Sequence, residues 1–323
     1  MKHTYRIILT LFVPAILTAC GNFEIDHDDY LYTSGYLPYQ YPVRTLVLGD
    51  YIYDNSNDNA HKFLISVAMG GVYKNEKNRE FKIVVDESLC NNLLFTSGGD
   101  PVRPLPSNYY TLSSQDKIVI PAGKMNGGIE VQLNDAFFND PLTIRQSYVV
   151  PVRIVGSSDV DTVLLSKNFT LFAVKYINEY HGSYFHYGTS SVKNATGATV
   201  ENTAYNTEKY VESNPVVKLV TTARYQVKVS LNFESEIIKG AFDLILTFNG
   251  DNCIVSAPEG ASYTVAGSGE FKSKSYEWGN KERDGIALDY TVTNDKGSYA
   301  ANDVLVARDR GVVMEVFTPV AND

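Results

Sequence analysis

Positive charge, cysteine and tryptophan are scarce in this 323-residue sequence. Twenty-eight lysines and arginines face 37 aspartates and glutamates, giving a formal net charge of −9. A chain this acidic offers no basic footprint for nucleic acid or anionic lipid. The three cysteines form no CxxC pair and no zinc-ligand spacing. We interpret Cys90 and Cys253 as two separate buried thiols, with a disulfide as the less favoured alternative.

A long hydrophobic run is also missing, because the apolar stretch Ile7–Ala19 is roughly half of what spans a bilayer. It follows a short basic segment and ends in Leu17-Thr18-Ala19-Cys20. This pattern predicts a lipoprotein signal peptide over residues 1–19, with acylation of the Cys20 thiol. Several acyl chains would give stable membrane anchoring. An ordinary signal peptide followed by a chance cysteine is the alternative.

The mature chain of about 300 residues suggests two domains after a polar, acidic tether at residues 20–40. Residues 41–178 contain short runs with period-two alternation, such as Phe81/Ile83/Val85, separated by glycine-rich turns. They predict an immunoglobulin-like β-sandwich with a helical turn at Asp135–Phe138. The expected strands are Arg44–Tyr53, His61–Met69, Phe81–Asp86, Lys117–Ile120, Gly128–Leu133, Tyr148–Val155 and Asn168–Ile177.

Residues 179–323 repeat the β pattern with tight turns and no long helical period. We expect a lipocalin-like β-barrel here, with a second sandwich as the alternative, so that the whole fold is all-β. The expected strands are Ser183–Tyr187, Lys209–Ser213, Val216–Thr222, Tyr225–Leu231, Phe242–Phe248, Tyr263–Val265, Gly269–Lys274, Ile286–Thr293, Val304–Arg308 and Val312–Phe317.

Catalytic and metal-binding motifs are hard to find. The six polar residues Asp54–Asn59 lack the glycine and the final carboxylate of a calcium loop, so they read as a polar loop. His181 and His186 are five apart and on a strand would face opposite sides, which makes both structural. The sequence shows no nucleophile elbow, phosphate loop or cofactor motif. We therefore expect no metal, no cofactor and no enzyme activity.

Aromatic side chains offer a different chemistry, since tyrosine occurs 23 times. The only tryptophan, Trp278, stands in a polar stretch that we interpret as a loop open to ligand, together with Tyr276, Asn280, Arg283 and Asp284. Stacking on the two rings and hydrogen bonds from the three polar groups suit a sugar. In the alternative, Trp278 folds back to close one barrel end. The N-terminal series is interpreted as strand packing: Tyr30, Tyr32, Tyr36, Tyr39 and Tyr41.

Several segments resemble a Bacteroidetes outer-membrane lipoprotein family of unknown function, whose N-terminal domain also precedes some family-18 endoglycosidases. The segments are Tyr41–Gly49, Met69–Tyr73, Pro106–Tyr110 and Asp135–Phe138, with Ser275–Asp284 and Val306–Gly311 resembling its C-terminal lipocalin-like partner domain. The stretch Asp284–Thr291 is similar to the catalytic strand of those glycosidases. However, Thr291 replaces the glutamate that acts as general acid, so that activity is not expected.

The resemblance implies a non-catalytic, glycan-binding lipoprotein that serves a Sus-like polysaccharide-uptake system. The expected location is the outer membrane, lipid-anchored and facing the cell surface, because the acidic residues after Cys20 resemble surface-export signals. The expected partners are a glycan or oligosaccharide and outer-membrane uptake proteins, with no nucleic acid. A structural or adhesive lipoprotein that docks onto protein partners is the alternative. A glycoside hydrolase with an unrecognised site is the weaker one.

Overall fold

The computed structural model of the chain describes residues 30–205, 209–235 and 237–322. The signal peptide and residues 20–29 of the tether, Cys20 included, lie outside these residues. Strand makes up 57% of the structure and helix 8%, which confirms the all-β class. In the described ranges, no helix combines the length and the apolar character that crossing a membrane requires.

The first half of the chain folds into two facing sheets that enclose one apolar core. The strands are β1 (Ser34–Tyr36), β2 (Pro42–Val47), β3 (Lys62–Gly70), β4 (Arg79–Val85), β5 (Leu93–Leu94), β6 (Arg103–Pro104), β7 (Tyr110–Leu112), β8 (Lys117–Ile120), β9 (Asn126–Leu133), β10 (Tyr148–Gly156), β11 (Thr162–Val163) and β12 (Phe169–Ile177). From residue 30 onwards, two short α-helices accompany them, α1 (Ser56–Asn59) and α2 (Asp135–Asn139).

The second half contains strands β13 to β23. They are β13 (Gly182–Asn194), β14 (Thr199–Tyr205), β15 (Val216–Ala223), β16 (Gln226–Glu234), β17 (Lys239–Asn249), β18 (Asn252–Ser256), β19 (Thr264–Trp278), β20 (Lys281–Asn294), β21 (Gly297–Asp309), β22 (Glu315–Val316) and β23 (Val320–Ala321). Four 3₁₀-helices complete the fold, at Glu87–Cys90, Ser107–Tyr109, Leu165–Lys167 and Val211–Ser213.

Sheet order in the sandwich is β11-β1-β3-β9-β7 opposite β22-β2-β12-β10-β4-β8, with β6 beside β10. Alternation puts one face of each strand into the core, as Phe63, Ile65 and Val67 of β3 show. Helix α2 adds Phe137 and Phe138, both fully buried. The predicted sandwich and helical turn are therefore confirmed.

Strands β13 and β15 to β21 form a closed eight-stranded barrel, because β13 pairs with β21 along its length. Strand β14 is a ninth strand of this sheet and pairs with the C-terminal half of β13. Inward-facing residues such as Val227, Val229 and Leu231 fill the interior, while their neighbours face outwards. The barrel expectation is thus confirmed over the second sandwich.

Four strand predictions in the second half are wrong in detail. Lys209–Ser213 contains a 3₁₀-helix, and only Glu315–Val316 of Val312–Phe317 is strand. The two expected strands at Tyr263–Val265 and Gly269–Lys274 are one continuous strand, β19. The interruption expected between them contains Gly267, where a Cβ would lie 2.3 Å from the Asp289 carbonyl oxygen. This glycine allows close backbone approach inside a strand rather than marking a turn.

The two halves are joined by contacts at one junction. Arg310, just after β21, donates hydrogen bonds to the carbonyl oxygens of Leu48, Asp50 and Asn178, the first two at 2.9 Å. Beyond it, β22 pairs with β2 and β23 pairs with β5. The C-terminal segment therefore returns from the barrel to the sandwich and lines its edge.

Candidate functional site

An open cleft of about 680 Å³ lies at the sandwich edge, where β2 and the C-terminal segment stand beside β3. Tyr39, Tyr51 and Tyr53 line it, and we call it the tyrosine cleft. Tyr39 is 57% exposed and Tyr53 is 70% exposed. Because the exposed rings stand in one cleft, they form part of a contiguous accessible surface, and surfaces of this kind mark contact sites.

The loop that carries two of these rings is fixed by asparagine side chains. Asn55 donates to the carbonyl oxygens of Val47 (2.8 Å) and Gly49 (2.7 Å). Asn59 accepts from the Gly49 N–H at 2.8 Å. The rings of Tyr51 and Tyr53 meet edge to face, with centroids 5.5 Å apart. The rings therefore project from a braced loop rather than a free one.

Charges in the tyrosine cleft are mostly paired. Asp58 is buried, accepts from the Arg44 guanidinium and takes a second hydrogen bond from the Val47 N–H at 3.0 Å. Glu315 forms an ion pair of 2.8 Å with Lys175. Hydrogen bonds from Ser56 lower the pKa of Asp54, so this exposed carboxyl is ionised at neutral pH. Asp54 is left as an accessible carboxylate beside the tyrosine rings.

One residue that lines the tyrosine cleft carries an unsatisfied polar atom. The Thr45 hydroxyl oxygen is buried and has no hydrogen-bond partner among the described residues. Asn126 and Ser66 add an amide and a hydroxyl to the lining. A buried hydroxyl without a partner costs stability, so a ligand group that bonds it gains an interaction which the free protein lacks.

Trp278 and Tyr276 occupy a different environment from the one expected. Both lie in β19 rather than in a loop, on the outer barrel wall among Phe185, Val211 and Val306. The Trp278 indole N–H donates to the Ala307 carbonyl oxygen at 2.8 Å, and its ring meets Phe185 edge to face at 5.2 Å. The loop interpretation is therefore wrong, and Trp278 does not close a barrel end either.

The other three residues expected to bind ligand are Asn280, Arg283 and Asp284, and each has a structural role. The Arg283 guanidinium lies over the Trp278 ring, 4.2 Å from its centroid. Asn280 sits in a two-residue hairpin turn with Gly279, where both residues have positive φ (57° and 61°) as a type I′ turn requires. Asp284 accepts from the Lys274 N–H at 2.8 Å. The structure thus brings Tyr276, Trp278 and Arg283 together, and a ligand role for the five residues stays a prediction.

The N-terminal tyrosines also depart from their strand-packing interpretation. Tyr41 packs edge to face against Phe169 and Phe317, as expected. Tyr30, Tyr32 and Tyr39 are exposed instead. The tyrosine cleft was missed, although Tyr51 and Tyr53 stand directly before the polar run Asp54–Asn59. The same pattern, an aromatic residue beside a run of polar residues, is the reason why Trp278 was interpreted as a ligand contact. Applied to Tyr51 and Tyr53, it would have predicted this cleft.

His181 and His186 are partly buried and the free cysteines are buried, and all four are held by local packing or hydrogen bonds. His181 Nδ1 accepts from the Thr221 N–H at 3.1 Å, and burial lowers the pKa of His181 to about 4. His186 Nε2 lies 3.1 Å from an Asp303 carboxylate oxygen. Cys90 and Cys253 are buried free thiols, as predicted, and burial raises the pKa of each to about 12. In the described part of the chain, no three His, Cys, Asp or Glu side chains converge as metal ligands.

Comparison with known proteins places this geometry in a family. A crystal structure of a protein of unknown function from Bacteroides ovatus is 34% identical, with a TM-score of 0.83. The match covers 91% of this chain and 100% of that one. The chain belongs to the same family. Within it, residues 179–311 match the domain of unknown function DUF5627, and residues 30–161 match a model described as an N-terminal domain.

More distant structures add little to this family. A multidomain protein including DUF1735 from Bacteroides ovatus is 13% identical, covers 90% of this chain and 96% of its own, and has a TM-score of 0.45. A two-domain protein of unknown function from Bacteroides fragilis is 12% identical, covers 90% and 92%, and has a TM-score of 0.33. Similarity at this level carries no inference. No curated protein matches the sequence significantly.

Proposed function

We propose that the protein is a non-catalytic glycan-binding lipoprotein and that the tyrosine cleft holds the glycan. One observation carries the proposal: three tyrosine rings, two of them largely exposed, line an open cleft together with Thr45, whose buried hydroxyl has no partner among the described residues. Sugars present apolar C–H faces that pack on aromatic planes and hydroxyls that both donate and accept hydrogen bonds. The cleft offers both kinds of contact in one place.

Each lining group has a role in this proposal. The Tyr39 and Tyr53 rings take the C–H faces of the sugar, each contact adding about 0.5–1.5 kcal/mol beyond area burial. The Asp54 carboxylate accepts from sugar hydroxyls, and the Asn126 amide donates to them. The Thr45 hydroxyl gains its missing partner. Two or three such contacts, less the cost of ordering the sugar, imply a dissociation constant of roughly micromolar to millimolar.

The carboxylates of the tyrosine cleft favour binding over hydrolysis. Glycoside hydrolysis uses two free carboxyl groups, one of them protonated as the general acid. Asp58 and Glu315 are each paired with a cation, and Asp54 has a lowered pKa. Among the described residues that line the cleft, only Asp54 offers a carboxylate outside an ion pair, so the two free carboxyl groups of hydrolysis are not brought together. This supports the non-catalytic role.

We also propose that Cys20 carries the lipid anchor and that the protein serves a Sus-like uptake system at the cell surface. The Cys20→Ser variant should leave the membrane fraction; continued extraction only by detergent would contradict the anchor. Docking onto an outer-membrane protein is a second candidate function. The exposed apolar side chains of Val313, Met314 and Leu64 on the cleft rim favour it.

A glycan array followed by calorimetry tests the binding proposal. The array, probed with the full chain in detergent, identifies the glycan, and calorimetry then compares Tyr53→Ala and Thr45→Val with wild type. We expect each variant to weaken binding by roughly 2- to 10-fold, because each loses one ring contact or one hydrogen bond. Tyr73→Ala is the matched control, since this 66% exposed ring lies outside the cleft. Equal affinity in all four proteins would move the site elsewhere.

A further inference from the structure

The barrel wall opens between β14 and β16. Strand β15 pairs with β13 only over Gly182–Phe185 and with β16 only as far as Val229. Further along β13, from Gly188 to Lys193, the same edge pairs with β14 instead. The described residues show no strand between β14 and Ser230–Glu234 of β16. The result is an opening of about 900 Å³, which we call the wall opening.

A buried carboxylate organises the inner end of the wall opening. The Asp303 side chain is fully buried and accepts hydrogen bonds from the Tyr290 hydroxyl at 2.6 Å and from the Tyr205 hydroxyl. His186 contacts the same carboxylate at 3.1 Å. Tyr205 and His186 both line the wall opening. Asp303 therefore fixes the positions of Tyr205 and His186, two side chains that line the opening.

Close packing around Asp303 leaves this arrangement little freedom. A Cβ at Gly188 would lie 2.4 Å from an Asp303 carboxylate oxygen, so β13 passes the carboxylate without a side chain. Burial and the Asp303 carboxylate raise the pKa of both Tyr205 and Tyr290, which keeps their hydroxyls protonated as donors. The lining is preorganised before any ligand arrives.

The walls carry groups that both donate and accept, with charges of both signs. Hydroxyl and amide groups come from Ser190, Thr203, Tyr299, Ser230 and Asn232. Two carboxylates, Glu201 and Glu234, stand with two ammonium groups, Lys218 and Lys228. An anionic ligand would meet the carboxylates, and a cationic ligand would meet the ammonium groups. Lys228 is paired with Asp243 at 3.1 Å, so the lining holds charges of both signs without a free cluster of either. This favours an uncharged ligand with many hydroxyls, each of which is donor and acceptor at once.

We propose that the wall opening is a second binding site, for an uncharged polyhydroxylated ligand such as the end of a neutral oligosaccharide. Val216, Val217 and Phe233 supply the apolar part of its lining, against which the C–H face of a sugar packs. The site is independent of the tyrosine cleft in position and in residues. Only the choice of sugars as ligand class rests on the proposed function.

Two substitutions on the same exposed strand test the site. Thr203 faces the wall opening and Asn202 does not. Thr203→Trp places a large ring in the opening, whereas Asn202→Trp adds the same ring to the other face of β14. The probes are maltose, cellobiose, lactose and N,N′-diacetylchitobiose at millimolar concentration, with the full chain. We expect a sugar that binds wild type and Asn202→Trp equally and Thr203→Trp at least about tenfold more weakly.

Ring signals of labelled tyrosine in the wild-type protein give a second measurement that needs no variant. Saturable shifts at Tyr205 and Tyr299 support the site. If shifts occur only at Tyr39, Tyr51 and Tyr53, the wall opening is not a sugar site while the tyrosine cleft stands. Shifts only at Tyr205 and Tyr299 support the wall opening and contradict the tyrosine cleft. No shift with any of the four sugars, or equal binding by Thr203→Trp, overturns the proposal.

Discussion

Each half of the molecule buries one aspartate among the described residues, and the two are satisfied differently. In the sandwich, Asp58 is paired with the Arg44 guanidinium and a backbone N–H. In the barrel, Asp303 is held by two tyrosine hydroxyls and His186. The sandwich thus neutralises its buried charge with a fixed cation, while the barrel surrounds its charge with groups that also reach an opening.

In the sandwich, the residues that stabilise the fold differ from those proposed to bind a ligand. In the barrel, the same residues serve both purposes. The rings of the tyrosine cleft project from the surface, and removing one leaves the Asp58 pair intact. In the barrel, Tyr205 and His186 both contact the buried carboxylate and line the wall opening. Substitutions of the exposed cleft tyrosines should therefore change binding alone, whereas substitutions at the barrel carboxylate should change folding first.

The largest effect should follow loss of the barrel carboxylate. Asp303→Ala leaves the Tyr205 and Tyr290 hydroxyls and His186 without their acceptor in a buried site. We expect the free energy of unfolding to fall by about 3–5 kcal/mol, as for other broken buried networks. Urea denaturation measures it. Asp289→Ala, on exposed β20 surface, is the control and should change stability by less than about 0.5 kcal/mol.

The next effect is a pH dependence at His181, directly before β13. Burial lowers the pKa of His181 to about 4, and Arg310, Lys218 and Lys175 act in the same direction. The unfolded chain binds this proton near pH 6.5 and the folded chain does not, so stability falls as pH drops from 6.5 to 4. The loss at His181 should reach about 2–3 kcal/mol. A pH series of denaturation curves checks it, and an equally steep profile in His181→Asn would refute the assignment.

A smaller loss is expected at the sandwich aspartate. Asp58→Ala removes the acceptor of the Val47 N–H, but Arg44 keeps 42% of its side chain exposed and can be hydrated. We expect a fall of about 1–2 kcal/mol, less than for Asp303→Ala. Urea denaturation of both variants side by side makes the comparison. A larger loss for Asp58→Ala would reverse the contrast between the two halves.

Much of the fold could be predicted because its strands carry local signals. Lys117–Ile120 matches β8 at both ends, and alternation found β4 and β9 to within two residues. Glycine failed as a signal where it serves close packing, as at Gly267 in β19. Local sequence does not distinguish a glycine that ends a strand from one that lets two strands approach.

The candidate sites depend on contacts between distant residues, which no local pattern reveals. Asp303 meets Tyr205, 98 positions away, through the pairing of β13 with β14 and β21. The tyrosine cleft forms only when the segment after β21 returns to β2. The residues around Trp278 are of the types that bind sugars. However, its indole N–H is hydrogen-bonded to Ala307 and its ring packs on Phe185. The aromatic and polar composition therefore indicated sugar-binding chemistry, but it did not indicate which residues form the cleft.

A single titration tests the central claim most directly. The full chain carries labelled tyrosine and tryptophan rings, and the array-identified glycan is added while their NMR signals are followed. We predict saturable shifts at Tyr39, Tyr51 and Tyr53, with the Trp278 indole N–H unchanged because Ala307 holds it. A saturable shift of the Trp278 indole, with all three cleft tyrosines unmoved, would contradict glycan binding in the tyrosine cleft.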